Sequence, residues 1–410
     1  MDFALVRALA AAWALLSLPL AASAGLSFDD TTRLALEQAP ALQAQRNTLD
    51  GARALHGAAA TLPDPRLIVG LDNLPVTGPE RFSTTADSMT MQRIGLMQEV
   101  PNQAKREARA AGAQARIERE RALLGVTELA VRRDAALAWL AVYFAEERAA
   151  QLTGLERENA LLQDTLDARI VAGQALPAER TLARLDALTI ADRRDDARRD
   201  VERARASLRR WVGARAAEPL TGGPPPLQVR PEQLRADLHR HAELAPYDAL
   251  QAMARAEARE ADAEQRGDWG WEVVYSRRPQ YDDMISFQLV FDLPWDRERR
   301  QRPQLIAKQR EAARIEAERD DTLRRHGEEV DAQLAELKAL DAQHARLQSQ
   351  ALALNSERVA LALASYQAGR GDLGAVLTAR REAVETRLRL IDLDAQRAAL
   401  RVRLNSLIAE

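Results

Sequence analysis

The sequence contains two copies of one plan, and this internal repeat constrains the fold more than any other feature. The matched segments, in chain order, are 37–40 with 243–246, 94–124 with 287–323, and 168–187 with 364–383. In the middle pair, a short alternating segment passes through a proline, Pro101 or Pro294, into a long charged stretch. Because the three matches keep their order and nearly constant spacing, we expect a duplicated structural unit.

The repeat also predicts the domain organisation. We expect a first repeat over 25–212, a rigid, extended proline- and glycine-rich linker over 213–231, and a second repeat over 232–410. Each repeat has the pattern of a helix, two strands joined by a polar loop, and a very long helix that reverses through a tight turn into another helix. The expected fold class is therefore mainly α, with long α-helical hairpins and a small antiparallel β part.

The helical stretches are long and carry apolar residues along two lines. No helix breaker lies between 102 and 173, and the stretch 296–369 contains only an early proline, Pro303. About 70 residues of α-helix would extend about 100 Å. One apolar line repeats every seven residues at Leu340, Leu347, Leu354 and Leu361, and a second contains Leu352, Val359, Leu363 and Tyr366. A helix with two apolar seams is expected to have neighbours on both sides, as in a wall of helices.

Four segments have the alternating pattern of strands with one apolar and one polar face. They cover 66–74, 90–100, 271–278 and 284–293. Strands of about 8 to 11 residues with this pattern are typical of outer-membrane β-barrels. The expected water-facing positions include Met91, Arg93, Met97, Glu99, Ser286, Gln288 and Asp292, and Trp269, Trp271 and Trp295 lie at the strand ends, where an aromatic girdle is expected. The alternative is a soluble sheet packed against helices.

If these strands enter lipid, a single chain is not sufficient. A four-stranded sheet has two unpaired edges, and such edges are not tolerated in hydrocarbon. Copies of the chain would then complete a barrel. Two copies give about eight strands, whose interior is filled by side chains, whereas three give about twelve and a pore. A trimer is therefore expected for a conduit.

The first 24 residues and the composition indicate an exported protein. Residues 1–24 have the pattern of a signal peptide, with Arg7, an apolar run, and small residues before Gly25. The sequence has no cysteine, which excludes disulfides, thiolate metal sites and lipidation of an N-terminal cysteine. The net charge of −3 gives no general attraction to nucleic acid.

The sequence offers no catalytic arrangement, so we expect neither an enzyme nor a cofactor. Its five histidines are scattered, and no glycine-rich phosphate loop follows a strand. His239 and His241 are two residues apart on a predicted helix, which does not place them on one face. Met91 and Met97 would face the lumen, where thioethers suit copper(I) or silver(I), although methionine more often fills space. No metal site is assigned from the sequence.

The duplicated plan of two strands and a long helical hairpin resembles the TolC family of outer-membrane efflux proteins over essentially the whole mature chain. The segments "LPDPRLIVGLDNLP" and "MTMQRIGLMQEVP" resemble its heavy-metal branch, the CzcC- and CusC-like channels. The resemblance implies a homotrimer with a twelve-stranded barrel in outer-membrane lipid of a Gram-negative bacterium. A helical tunnel would extend into the periplasm. It further implies a passive conduit for substrate, heavy-metal cations in this branch, which a periplasmic adaptor and an inner-membrane pump of the resistance–nodulation–division type deliver.

The same resemblance implies functional residues at the hairpin tips. A tyrosine or arginine shortly before a glycine carries over to Tyr366 with Gly369 and to Arg169 with Gly173. These four residues and their neighbours at the two turns are expected to dock the adaptor; the neighbours are Gln174, Leu176, Arg370, Gly371, Asp372 and Leu373. Many members carry an acidic residue six positions after the glycine, at the tunnel mouth. Glu179 holds that position in the first repeat, and Ala375 in the second.

Other functions remain open from the sequence. The chain could be an outer-membrane exit duct for drugs or secreted polypeptides instead of metal ions. A periplasmic coiled-coil adaptor would be expected to have one hairpin and soluble β domains, and a structural coiled-coil protein would need no lipid-facing strands. Dependence on detergent for solubility would distinguish the channel from these last two.

Overall fold

The structure is a computed structural model that describes residues 25–408, so the predicted signal peptide at 1–24 lies outside the described residues. The α-helices are α1 Phe28–Gln38, α2 Pro40–Ala59, α3 Gln103–Val171, α4 Pro177–Val212, α5 Pro231–Ala236, α6 Ala245–Ala263, α7 Gln301–Arg346, α8 Leu352–Gln367 and α9 Leu373–Asn405. Two strands lie between α2 and α3 and two more between α6 and α7. The predicted class, mainly helical with a small antiparallel sheet, is confirmed.

The four strands form one antiparallel sheet in the order β1-β2-β3-β4. Their bounds are β1 Arg66–Asp72, β2 Met91–Val100, β3 Trp269–Arg277 and β4 Met284–Phe291. The predicted strands 66–74 and 284–293 extended too far. Asn73 adopts φ 54°, a left-handed conformation that ends β1. β4 ends at Phe291, and the next residue, Asp292, donates its backbone N–H to the Asp268 carbonyl over 2.8 Å.

The long helices follow the sequence prediction closely. α3 runs unbroken from Gln103 to Val171. α7 begins at Gln301 rather than at the predicted 296, which places Pro303 in the first turn, where its missing N–H costs no hydrogen bond. A π-helical segment, Leu347–Ala351, joins α7 to α8. Each helix among the described residues falls short of the combined length and apolar character needed to cross a bilayer.

One compact unit comprises Met1–Ala39, Leu129–Glu232 and Val330–Leu407, of which the structure describes residues from 25 onward. Its core surrounds Trp139, which is fully buried and donates its indole N–H to the Leu26 carbonyl over 3.0 Å. The ring of Tyr143 stacks on that of Trp139 at 5.4 Å. The linker begins with a 3₁₀ helix, Gly213–Ala217, rather than extended chain, and then pairs with Leu26 through Leu220.

The other compact unit comprises Pro40–Glu128, Gln233–Glu329 and, of the described C-terminal residues, Ile408, and it contains the sheet. Asn102 fastens the start of α3 to the segment before β3. Its backbone N–H donates to Asp268 Oδ1 over 2.8 Å, and its side-chain amide donates to the Ala263 carbonyl over 3.0 Å. Lys105 adds an ion pair with Asp268 at 3.2 Å. These bonds fix where β2 ends and α3 begins.

Candidate functional site

The turn between α3 and α4 is closed by two backbone hydrogen bonds. Gly173 adopts φ 71° and donates its N–H to the Ile170 carbonyl over 3.0 Å. The N–H of Gln174 reaches back to the Arg169 carbonyl over 2.8 Å. This pair of bonds around a left-handed residue is the Schellman motif, which satisfies carbonyls left open at a helix C-terminus. Glycine adopts the required positive φ without steric cost.

The turn between α8 and α9 has the same geometry. Gly369 adopts φ 68° and donates to the Tyr366 carbonyl over 3.1 Å, and Arg370 donates to the Ser365 carbonyl over 2.9 Å. Aligning the two motifs on their glycines pairs Ser365 with Arg169. Tyr366 and Arg169, which the resemblance carried over as corresponding positions, are therefore one residue out of register.

Tyr366 and Arg169 instead contact each other. The guanidinium carbon of Arg169 lies 4.4 Å from the centroid of the Tyr366 ring, which is within cation–π range. The Tyr366 hydroxyl donates to Glu179 Oε2 over 2.8 Å, which ties α8 to the first turn of α4. The apolar side chains buried around the tyrosine ring are Leu166, Ala183, Leu373, Val376 and Leu377. We call these residues, with Arg169, Glu179 and Tyr366, the tip cluster.

The tip cluster shifts the titration of its tyrosine. Burial raises the pKa of Tyr366 to about 12, with a further contribution from Glu179, while Arg169 acts in the opposite direction. The hydroxyl therefore keeps its proton at physiological pH and stays a donor to the Glu179 carboxylate. Glu179, which the resemblance places at a tunnel mouth, has one oxygen engaged in this bond.

Two predicted docking residues are buried, Tyr366 at 5% exposed and Leu373. Leu373 is 1% exposed, which contradicts its expected place on an exposed surface. Asp372 caps α9 by accepting the Ala375 N–H at Oδ1 over 2.8 Å, and the cap turns the next side chain, Leu373, into the tip cluster. Leu176, in contrast, is 67% exposed. The other predicted docking residues that are exposed at the two turns are Gly173, Gln174, Gly369, Arg370, Gly371 and Asp372.

Replacing Tyr366 by phenylalanine is expected to loosen the tips without unfolding the chain. The change keeps the buried ring and removes the donor to Glu179, and a hydrogen bond to a charged group contributes about 1.5–3 kcal/mol. Amide hydrogen exchange over residues 365–373 should accelerate by roughly ten- to hundredfold. Tyr247→Phe is the matched control, because that hydroxyl bonds only to the neutral Thr322 Oγ1 at 3.1 Å in the other unit. Unchanged exchange in Tyr366→Phe would show that this bond carries no stability.

The sheet places most of its apolar side chains on one face, which also carries Gln92, Gln98 and Arg277. Directly paired residues share a face, so the register aligns Val69 with Ile94, Tyr275 and Ile285. Leu67, Leu96, Val273 and Phe287 form the next row in the same way. Every residue of these two rows is exposed, and Phe287 is 65% exposed. We call these eight residues, together with Leu289 and Phe291, the apolar sheet face.

The opposite face carries mainly polar and thioether side chains, together with Ile68, Val274 and Val290. Arg93 donates to Asp72 Oδ2 over 2.6 Å and to Glu272 Oε1 over 3.2 Å, so one guanidinium bridges three strands. Strand alternation and register put the other predicted lumen residues on this face as well, namely Met91, Met97, Glu99, Ser286 and Gln288. Asp292 is the exception, since it lies one residue beyond β4. Its backbone N–H bonds to the Asp268 carbonyl over 2.8 Å.

We compared the chain with protein families, curated proteins and solved structures. No protein-family model and no curated protein matches the chain. Among solved structures, a membrane protein from Pseudomonas aeruginosa matches with a TM-score of 0.79 and 17% identity, over 93% of this chain and 89% of that one. CusC, studied for transmembrane channel formation, matches with a TM-score of 0.75 and 15% identity, over 93% of this chain and 92% of CusC. The outer membrane protein VceC from Vibrio cholerae matches with a TM-score of 0.75 and 18% identity, over 93% of this chain and 95% of VceC.

The chain has a TolC-like fold. The predicted fold is thereby confirmed, whereas the heavy-metal branch is not distinguished, because CusC and VceC match with the same TM-score of 0.75. Identities below 20% show the fold alone.

Proposed function

We propose that this protein is the outer-membrane channel of a tripartite efflux system, a passive conduit from the periplasm to the exterior of a Gram-negative bacterium. The observation that carries the proposal is the apolar sheet face. A soluble monomer rarely exposes contiguous apolar side chains on this scale, and such patches mark protein or membrane contacts. Lipid suits this face because the opposite face carries most of the sheet's charged and polar side chains, with Arg93 bridging Asp72 and Glu272, as in the wall of a water-filled barrel.

Closure of the barrel requires further copies of the chain. In the described part of the chain, β1 and β4 have no strand beyond them. Unpaired edges are excluded from hydrocarbon, so β1 of one copy must pair with β4 of the next. Three copies give about twelve strands, enough to leave a pore. We therefore propose a homotrimer.

The helices of the compact unit that contains Trp139 also support a homotrimer. Of the two predicted apolar seams, the one that contains Leu363 and Tyr366 packs within the chain, at the tip cluster. The other seam is open near the tip, where Leu354 and Leu361 are exposed. A second copy is the partner we propose for these leucines, because heptad leucines pack into a facing helix.

The substrate and the partners belong to the same proposal. Heavy-metal cations are favoured by the two segments that resemble the CzcC- and CusC-like branch and by the thioethers of Met91 and Met97 on the polar sheet face, which suit soft metal ions. The cations would be delivered to the channel by an inner-membrane pump of the resistance–nodulation–division type and a periplasmic adaptor. We place the adaptor contact at the exposed tip residues, with Leu176 as its apolar centre.

The proposed trimer can be tested by crosslinking introduced cysteines. The chain has no cysteine, so a Leu71→Cys/Ile285→Cys variant carries one thiol on each edge strand and no others. A bismaleimide of about 10 Å should link β1 of one copy to β4 of the next in native membranes and give a covalent trimer, since three edge pairs close the ring. Each single variant is the control and should give no trimer. Monomers alone in the double variant, or fractionation into the soluble periplasm, would contradict the proposal.

A further inference from the structure

Two histidines that are far apart in the sequence meet in the compact unit that contains the sheet. The rings of His241 and His326 stack with centroids 3.7 Å apart and planes 14° apart, and both side chains are buried. His241 lies between two 3₁₀ turns, Leu238–Arg240 and Ala242–Leu244, rather than on the α-helix expected from the sequence. His326 lies on α7. Nothing in the local pattern of either residue predicts the contact.

The neutral form of His241 is built into this turn. Its Nδ1 accepts the backbone N–H of Glu243 over 3.2 Å and thereby caps the second 3₁₀ turn. An acceptor nitrogen carries no proton, so the ring is neutral with its proton on Nε2. His241 also forms a backbone bridge with Ile408. The residue therefore joins the turn, α7 and the segment at 408.

The charged and titratable groups that face His241 come from two elements. Glu243, on the turn, places Oε2 3.2 Å from His326 Nε2. On α7, Glu329 Oε2 lies 3.1 Å from His326 Nδ1, and Arg325 lies 4.0 Å from the other oxygen of Glu329. Both carboxylates therefore lie against His326, the ring that stacks on His241.

A metal ion does not fit the stack. Each imidazole nitrogen binds metal in its ring plane at about 2.0–2.1 Å, and two planes stacked face to face have no common point at that distance. Among residues 25–408, no group of three or more histidine, cysteine, aspartate and glutamate side chains is arranged to hold one. The remaining ligand is a proton.

We propose that the His241–His326 stack is a proton-binding site, and that protonation in acid releases the turn at 238–244 from α7. A proton on His241 Nδ1 would point at the Glu243 N–H, which would break the cap. The same proton would put positive charge 3.7 Å from the centroid of the facing ring.

The direction of the pH dependence follows from the titration of His241. Burial first, and the neighbouring His326 second, lower the pKa of His241 from 6.5 to about 4, against the opposing effect of Glu243 and Glu329. A ring released into water regains the ordinary pKa, so the released state binds a proton more readily than the closed one. The closed turn is thus fully stable above pH 6.5 and is lost as the pH falls through about 4. Release becomes roughly a hundredfold more favourable across that window.

Hydrogen exchange of the assembled full-length protein tests the proposal. Exchange of amides 238–247, corrected for the intrinsic rate, should indicate about a hundredfold more opening at pH 4 than at pH 7. His241→Asn keeps a capping acceptor and removes the titration, so it should abolish most of this difference. His239→Asn, an exposed change in the same segment, should retain it. Equal pH dependence in wild type and His241→Asn would overturn the site.

A second measurement needs no variant. Exchange of the imidazole C2 proton, followed by mass spectrometry at each histidine, reports its titration in the native protein. His241 should titrate near 4, well below the ordinary histidine pKa of 6.5. A midpoint near 6.5 for His241, or protection of the turn by added Zn²⁺ at pH 7.5, would overturn the assignment of a proton as the ligand.

Discussion

Replacing Phe287 by arginine is expected to deplete the membrane-assembled trimer severely. Phe287 lies in the middle of β4, on the apolar sheet face, and is 65% exposed in the single chain. In a barrel this position faces lipid near the bilayer centre, where arginine costs about 2–4 kcal/mol. The substitution occurs once per copy, so a trimer bears the cost about three times. Trimer level in outer-membrane fractions, compared by gel electrophoresis without heating, is the measurement.

The neighbouring residue supplies the control. Gln288 pairs with Glu272 on the polar face, so Gln288→Arg would place the new charge beside a carboxylate and in water. Gln288→Arg should assemble at a normal level, and Leu289→Arg should fail as Phe287→Arg does. Equal loss in all three would mean that β4 tolerates no arginine for reasons other than lipid. Equal tolerance would remove the support for a lipid-facing sheet.

The sheet shows how much a sequence pattern can establish. Strand alternation correctly identified which side chains of β2 and β4 share a face, because the period of two is a property of the backbone itself. Strand ends were less predictable. They depended on Asn73 adopting a left-handed conformation and on the bond between Asp292 and Asp268, and neither leaves a periodic signal.

The tips show where sequence reasoning fails. The glycines at 173 and 369 were expected to reverse the chain, and both adopt positive φ. The burial of Leu373 was missed, because it depends on how the Asp372 cap sets the rotation of α9. The contacts of Tyr366 with Arg169 and Glu179 were missed for another reason. Residues so far apart in the chain meet only through tertiary packing, which no local motif encodes.

The tip geometry also decides which residue can test adaptor docking. Aspartate at Leu373 would put a charge into the tip cluster and damage the tip itself, so loss of export in that variant would not separate docking from folding. Leu176 does not have this problem. It precedes Pro177 at the start of α4, its side chain makes no capping bond, and it is 67% exposed.

Leu176→Asp is therefore expected to abolish export while the trimer remains at its normal level in the outer membrane. A charge at the apolar centre of a docking surface typically costs 2 kcal/mol or more, about a thirtyfold loss of affinity. Crosslinking of the adaptor to the tip should fall with export. Leu55→Asp makes the same change at a 60% exposed leucine of the other compact unit and should leave both normal. If Leu176→Asp exports as well as wild type, the adaptor binds elsewhere on the helices and the tips serve only as turns.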